Sequence, residues 1–262
     1  MSRTPGHANS RWPYPRLIAH RGGGSLAPEN TLAAMRTGHA QGFKTVEFDV
    51  VLAADGVPML MHDDTVDRTT NGHGRIAELD SVALAKLDAG AWHSATFAGE
   101  PVPTFEAAAK LCVELGLWAN VEIKPTPRCE AETGVRAAEL ARHAWHAAMQ
   151  RGIAPPLLSS FQPESLRAAL ATAPELPRGL LCDLVPQDWR ERMRELQCMT
   201  LHCNALRLGA GTAREITAAG YGLAVWTVND AAEAERLFAI GVDAIFTDRL
   251  DLFGRRAEGQ AT

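Results

Sequence analysis

The sequence predicts a (β/α)8 (TIM) barrel, α/β in class, with a small insertion between the second strand and the helix that follows it. Three observations predict it. Short apolar runs recur eight times, amphipathic segments separate them, and 262 residues is the length such a barrel needs. An open, doubly wound sheet shares this alternation, and spacing alone does not exclude it.

Residues 1–15, MSRTPGHANSRWPYP, show no apolar period and read as a flexible segment without the apolar stretch of a secretory signal. The first strand is expected at 16–19, a run bounded by turn signals. It ends in His20-Arg21-Gly22-Gly23-Gly24, where glycines let the backbone approach a ligand closely. Asn30 reads as the N-cap of a helix with Leu32 and Met35 on one face and Gly42 beyond its end. The second strand, 44–52, contains Glu47-Phe48-Asp49, and a further apolar stretch, Val57–Met61, leads into His62-Asp63. No helical period returns until Phe105, Ala108, Ala109, Cys112 and Leu115, which Gly116 closes. About fifty residues exceed an ordinary βα loop, so roughly 64–103 reads as an insertion bordering the C-terminal mouth of the barrel.

Strands are expected next at 118–123, 157–160, 179–182, 199–203, 222–227 and 243–247, with helices around 131–151, 163–173, 186–197 and 212–219. Asp230 and Glu233 resemble a capping box ahead of Ala234, Leu237 and Phe238, and Gly241 ends that helix. The barrel is therefore expected over 16–254, with a flexible tail over 255–262.

Lysine and arginine number 26 against 31 acidic residues, a net charge of −5 that gives no reason to expect nucleic acid. No run approaches the roughly 18 apolar residues of a membrane span, and no basic amphipathic stretch points to stable membrane association. The five cysteines, odd in number and without a CxxC pair, read as reduced thiols of a cytoplasmic protein.

Strand alternation places Glu47 and Asp49 on one face, and Glu122 and Lys124 on one face of the next parallel strand. Three carboxylates against one lysine call for another cation, and oxygen donors suit Mg²⁺ or Ca²⁺ better than zinc. A buried ion-pair layer is the alternative reading, and it is short of positive charge. His20 and His62 flank this cluster, and an ordinary imidazole pKa lets such a pair exchange protons near neutrality. His39, His73, His143 and His146 read as surface residues, while His93, beside Trp92 in the insertion, stays open.

In order along the chain stand His20-Arg21-Gly22, Pro28-Glu29-Asn30-Thr31, Glu47-x-Asp49, His62-Asp63, Glu122-Ile123-Lys124, Trp226-Thr227-Val228-Asn229 and Thr247-Asp248. This series resembles that of the glycerophosphodiester phosphodiesterases, the bacterial cytosolic type above all. The resemblance implies one divalent cation held by Glu47, Asp49 and Glu122, with His20 and His62 as the acid/base pair. It implies phosphate binding by Arg21 and Lys124, and hydrolysis of a small-molecule glycerophosphodiester to sn-glycerol 3-phosphate and an alcohol. Phe161, Trp226 and Trp92 are expected at the rim against the glycerol, and His202 with Asn204 is expected to reach the pocket. His20, tethered beside Arg21, is expected to be the base and His62 the acid. A phospholipase C- or D-like phosphodiesterase and a non-catalytic phosphate-binding module stay as alternatives, and assembly into a homo-oligomer stays open.

Overall fold

The computed structural model describes residues 12–258. Strand runs such as Leu17–Ala19 and Thr45–Leu52 are buried along their whole length, as strands covered on both faces must be. In chain order the strands are β1 (Leu17–Ala19), β2 (Thr45–Leu52), β3 (Pro58–Leu60), β4 (Trp118–Ile123), β5 (Leu157–Ser160), β6 (Arg178–Cys182), β7 (Thr200–Asn204), β8 (Gly222–Trp226) and β9 (Ala244–Thr247). All but β3 run parallel, and β1 pairs with both β9 and β2, so the sheet closes into an eight-stranded barrel. Closure excludes the open sheet. The stretch after β2 forms β3, which folds back antiparallel on it with Val50 opposite Leu60.

Helices α1 (Leu32–Ala40), α2 (Ser81–Leu84), α3 (Phe105–Leu115), α4 (Glu130–Gln150), α5 (Pro163–Thr172), α6 (Trp189–Glu195), α7 (Ala210–Ala218), α8 (Ala231–Ala239) and α9 (Leu250–Glu258) follow. All except α2 cover the barrel's outer face, where Phe48, Phe105 and Trp145 are fully buried. Thr31, not Asn30, caps α1 by accepting from the Ala34 N–H, and Asp230 caps α8 as its sequence predicts. Between β3 and α3 the chain builds a small satellite core from Met59, Met61, Val66, Ile76, Leu84 and Val102. Asp88 braces this insertion by accepting from the backbone N–H groups of Gly90, Ala91 and Gly99.

Two end segments differ from expectation. Trp12 and Tyr14 are buried, with Tyr14 stacked on Trp118 at 3.8 Å between ring centroids and Trp12 packed edge-on at 5.7 Å. The lower barrel interior is lined by Ile18, Leu157, Ala224 and Ala244, an apolar end that these rings shield from water. Two isolated aromatics make no period, so the sequence hid this role. Residues 1–11 of the expected flexible segment lie outside the described residues. At the other end α9 continues to Glu258 across the start of the expected tail, and 259–262 lie outside the described residues. Among the described residues no helix is long and apolar enough to cross a membrane.

Candidate active site

Parallel pairing of β2 and β4 sets Glu47 beside Asn120 and Asp49 beside Glu122. One ligand atom from each of Glu47, Asp49 and Glu122 lies within 4.8 Å of the others. Residues of the loop between β1 and α1 secure them. The Arg21 backbone N–H donates to Glu47 Oε2 at 2.8 Å, and Asn30 Nδ2 donates to Asp49 Oδ2 at 2.8 Å. Asn30 Oδ1 in turn accepts from the Asp49 N–H at 3.0 Å, which is why this residue left the capping position to Thr31. Gly24 has φ +53, and a side chain there would collide with the Asp248 carbonyl. That glycine therefore serves the close approach of loop to strand end, beyond any approach of a ligand.

Lys124 Nζ lies 3.8 Å from Asp49 Oδ1. Asp49 is held below the usual carboxylate range: burial opposes this, and Lys124, His62, Arg21 and the Asn30 hydrogen bond outweigh it. Burial, then the charge of Asp49, pushes Glu47 well above its ordinary value and Glu122 up to about 8. The trio thus cannot ionise fully on the protein's own cations. A buried, all-oxygen donor set short of positive charge fits a hard divalent cation.

Each histidine leans on a carboxylate. His20 Nδ1 meets Asp248 Oδ1 at 2.7 Å, and its Nε2 lies 3.9 Å from Glu47 Oε2. His62 Nδ1 meets Asp63 Oδ1 at 2.6 Å. A carboxylate on Nδ1–H selects the tautomer whose Nε2 is free to accept a proton. Asn229 donates to Asp248 Oδ2 at 3.0 Å and accepts from the Asp248 N–H. Arg68 donates from Nε to Asp63 Oδ2 at 2.6 Å and from Nη1 and Nη2 to Glu29 at 2.8 Å. Glu29 also accepts from Arg21 Nη1 at 2.6 Å, so one chain of charges runs from His62 to Arg21. Burial lowers the His62 pKa, with Lys124 and Arg21 adding to the fall against the pull of Asp49 and Asp63.

One cavity of about 340 Å³ is lined by His20, Arg21, Glu47, Asp49, His62, Glu122 and Lys124, together with Phe161 and Trp226. The two aromatic rings meet edge to face at 5.7 Å. Trp92, expected at the rim, and His202 and Asn204, expected to reach the pocket, do not line this cavity. Trp92 and His93 line a second, adjoining cavity. His202 is fully buried in the barrel interior against Trp12 and Phe246, bonds Thr200 Oγ1 at 2.8 Å, and does not line this cavity. Asn204 donates to Asp183 and does not line it either. Of the remaining histidines, His73, His143 and His146 are exposed as expected, while His39 is only half-exposed.

Sequence reasoning assigned no role to Asp63, Asp248 or Arg68, and gave Asn30 only a capping role that Thr31 in fact fills. The first two sit in the quoted pairs His62-Asp63 and Thr247-Asp248, so adjacency to a histidine or a strand end was the available signal. Arg68 had none, because its Glu29 partner is 39 residues away.

The glycerophosphoryl diester phosphodiesterase family model matches residues 20–252. A glycerophosphodiester phosphodiesterase of Caldanaerobacter subterraneus is 34% identical over 234 residues, covering 88% of this chain and 93% of the relative. A solved phosphodiesterase of Oleispira antarctica, in complex with the product sn-glycerol-3-phosphate, has TM-score 0.86 and 36% identity over 93% of this chain and 96% of its own. The glycerophosphodiester phosphodiesterase of Agrobacterium tumefaciens has TM-score 0.76 and 28% identity over 92% and 100%. Likeness of sequence and of fold thus runs together along nearly the whole length, and the chain belongs to the glycerophosphoryl diester phosphodiesterase family as one of its enzymes.

Proposed function

We propose that this enzyme hydrolyses glycerophosphodiesters to sn-glycerol 3-phosphate and an alcohol, using His20 and His62 and a divalent cation, Mg²⁺ or Ca²⁺, held by Glu47, Asp49 and Glu122. The observation that carries the reading is the meeting of two carboxylate-steadied imidazoles and the buried acidic trio in one cavity. When bound, the cation supplies positive charge beside the phosphoryl oxygens.

The chain's own residues do the rest. Lys124 offers a point charge to the phosphate, and Arg21 a fork whose buried Nε–H has no hydrogen-bond partner among the described residues. Both favour the charge that grows on the oxygens as phosphorus is attacked. Trp226 Nε1–H and Asn120 Oδ1, also buried and without a partner among the described residues, offer one donor and one acceptor to glycerol hydroxyls, with Phe161 against the carbon skeleton. His62 is the better-supported base, since burial keeps it neutral and able to accept a proton. His20 then protonates the departing alkoxide, the reverse of the order expected from sequence. Five unpaired thiols support the cytoplasmic setting.

Product analysis with glycerophosphocholine, before and after exhaustive chelation, tests the reading. Choline and sn-glycerol 3-phosphate should appear, turnover should vanish with chelator, and Mg²⁺ or Ca²⁺ should restore it. Phosphocholine as product would overturn the bond assignment, and full activity in chelator would overturn the metal.

A further inference from the structure

Two asparagines make the same pair of bonds at this site. Asn30 donates from Nδ2 to Asp49 Oδ2 at 2.8 Å, and its Oδ1 accepts from the N–H of that same aspartate at 3.0 Å. Asn229 donates from Nδ2 to Asp248 Oδ2 at 3.0 Å, and its Oδ1 accepts from the Asp248 N–H at 2.8 Å. Each amide therefore fixes one carboxylate relative to its own backbone. Asn204 shows that an asparagine beside an aspartate need not do this: its Nδ2 reaches Asp183, while its Oδ1 accepts from the Leu206 N–H.

The grip suits an amide. It needs a donor and an acceptor on one short planar group, whereas a carboxylate has no donor and a hydroxyl offers one atom where two are engaged. At Asn30 the chain also accepts a left-handed backbone, φ +58, and buries the residue to 4% exposure, while Asn229 is exposed. The two aspartates differ in what they serve. Asp49 belongs to the acidic trio, and Asp248 meets His20 Nδ1 at 2.7 Å.

We propose that these amides are positioning residues with separate duties: Asn30 presents Asp49 to the cation, and Asn229 holds Asp248, and through it His20, in line for proton transfer. The inference rests on the reading above, in which the trio holds the cation and His20 protonates the departing alkoxide. A carboxylate free to rotate would spend less time in the productive orientation, so each amide should be felt in the property its own aspartate serves.

Two readouts separate the duties. Mg²⁺ and Ca²⁺ are each titrated alone, by calorimetry, into chelator-treated wild-type enzyme, Asn30→Gly and Asn229→Ala, glycine being chosen because it accepts a positive φ. Asn30→Gly should raise Kd about 10- to 100-fold, whereas Asn229→Ala should stay within about 2-fold of wild type. At saturating cation, Asn229→Ala should lower kcat about 10-fold on glycerophosphocholine. On a p-nitrophenyl diester, whose leaving group needs little protonation, its loss should stay below about 2-fold. An unchanged Kd in Asn30→Gly, or a Kd raised equally in both variants, would overturn the division of duties. Equal losses on both diesters in Asn229→Ala, or none on either, would overturn its link to His20 while leaving hydrolysis standing. Wild-type enzyme that binds neither cation, or cleaves neither diester, would overturn the reaction and the positioning roles together.

Discussion

Lys124 and the two histidines illustrate how much a single side chain can carry here. Lys124 Nζ sits 3.8 Å from Asp49 and lines the cavity, so in the proposed reaction its charge would serve both the acidic trio and the phosphate. Lys124→Ala should lower kcat/KM by about 10²–10³, the usual loss for one transition-state charge partner. An unchanged kcat/KM in the folded variant would remove it from the site. The histidines are separated by leaving-group chemistry. With a p-nitrophenyl diester, whose leaving group needs little protonation, His20→Ala should lose far less activity than on glycerophosphocholine. His62→Ala should lose heavily on both substrates. The opposite pattern would restore the order expected from sequence.

At the scale of elements, the insertion is joined to the barrel by Arg68, which grips Asp63 and Glu29 at once. Neither partner lines the cavity that holds the acidic trio, yet Asp63 bonds His62 and Glu29 bonds Arg21. Arg68→Met should therefore cut kcat by about 10- to 100-fold, as loss of such outer partners typically does. Arg68→Lys should rescue little, because one ammonium cannot span two carboxylates in the manner of a planar fork. Thermal unfolding within a few degrees of wild type, alongside the lost kcat, would separate positioning from collapse. Wild-type kcat in Arg68→Met would show that the link is idle.

For the molecule as a whole, stability is tied to pH through the barrel interior. Burial pushes His202 down to about 3, so the native state resists protonation while the unfolded chain, near 6.5, accepts it. The folded value is the lower one, so this group costs no stability above pH 6.5. Its cost grows as pH falls from about 6.5 toward about 3, by about 1.4 kcal/mol per unit. His202→Gln, whatever it costs at pH 7, should lose about 2 kcal/mol less than wild type between pH 7 and pH 5. Urea unfolding at both values checks this, and equal losses would refute it. By itself, the sequence determined the eight strands, the face shared by Glu47 and Asp49, and that shared by Glu122 and Lys124. Each of these follows from a period of two or of 3.6 residues, which is local information. It also marked His20 and His62 through the ordered motifs. Only closure of the sheet decided that His20 meets Asp248, 228 residues away, and that Arg68 joins insertion to barrel. Closure likewise turned His202 into the interior, enlisted Trp12 and Tyr14 to cover its lower end, and set Trp92 in an adjoining cavity. Such contacts depend on which strands become neighbours and where a loop lands, and no periodicity along the chain encodes either.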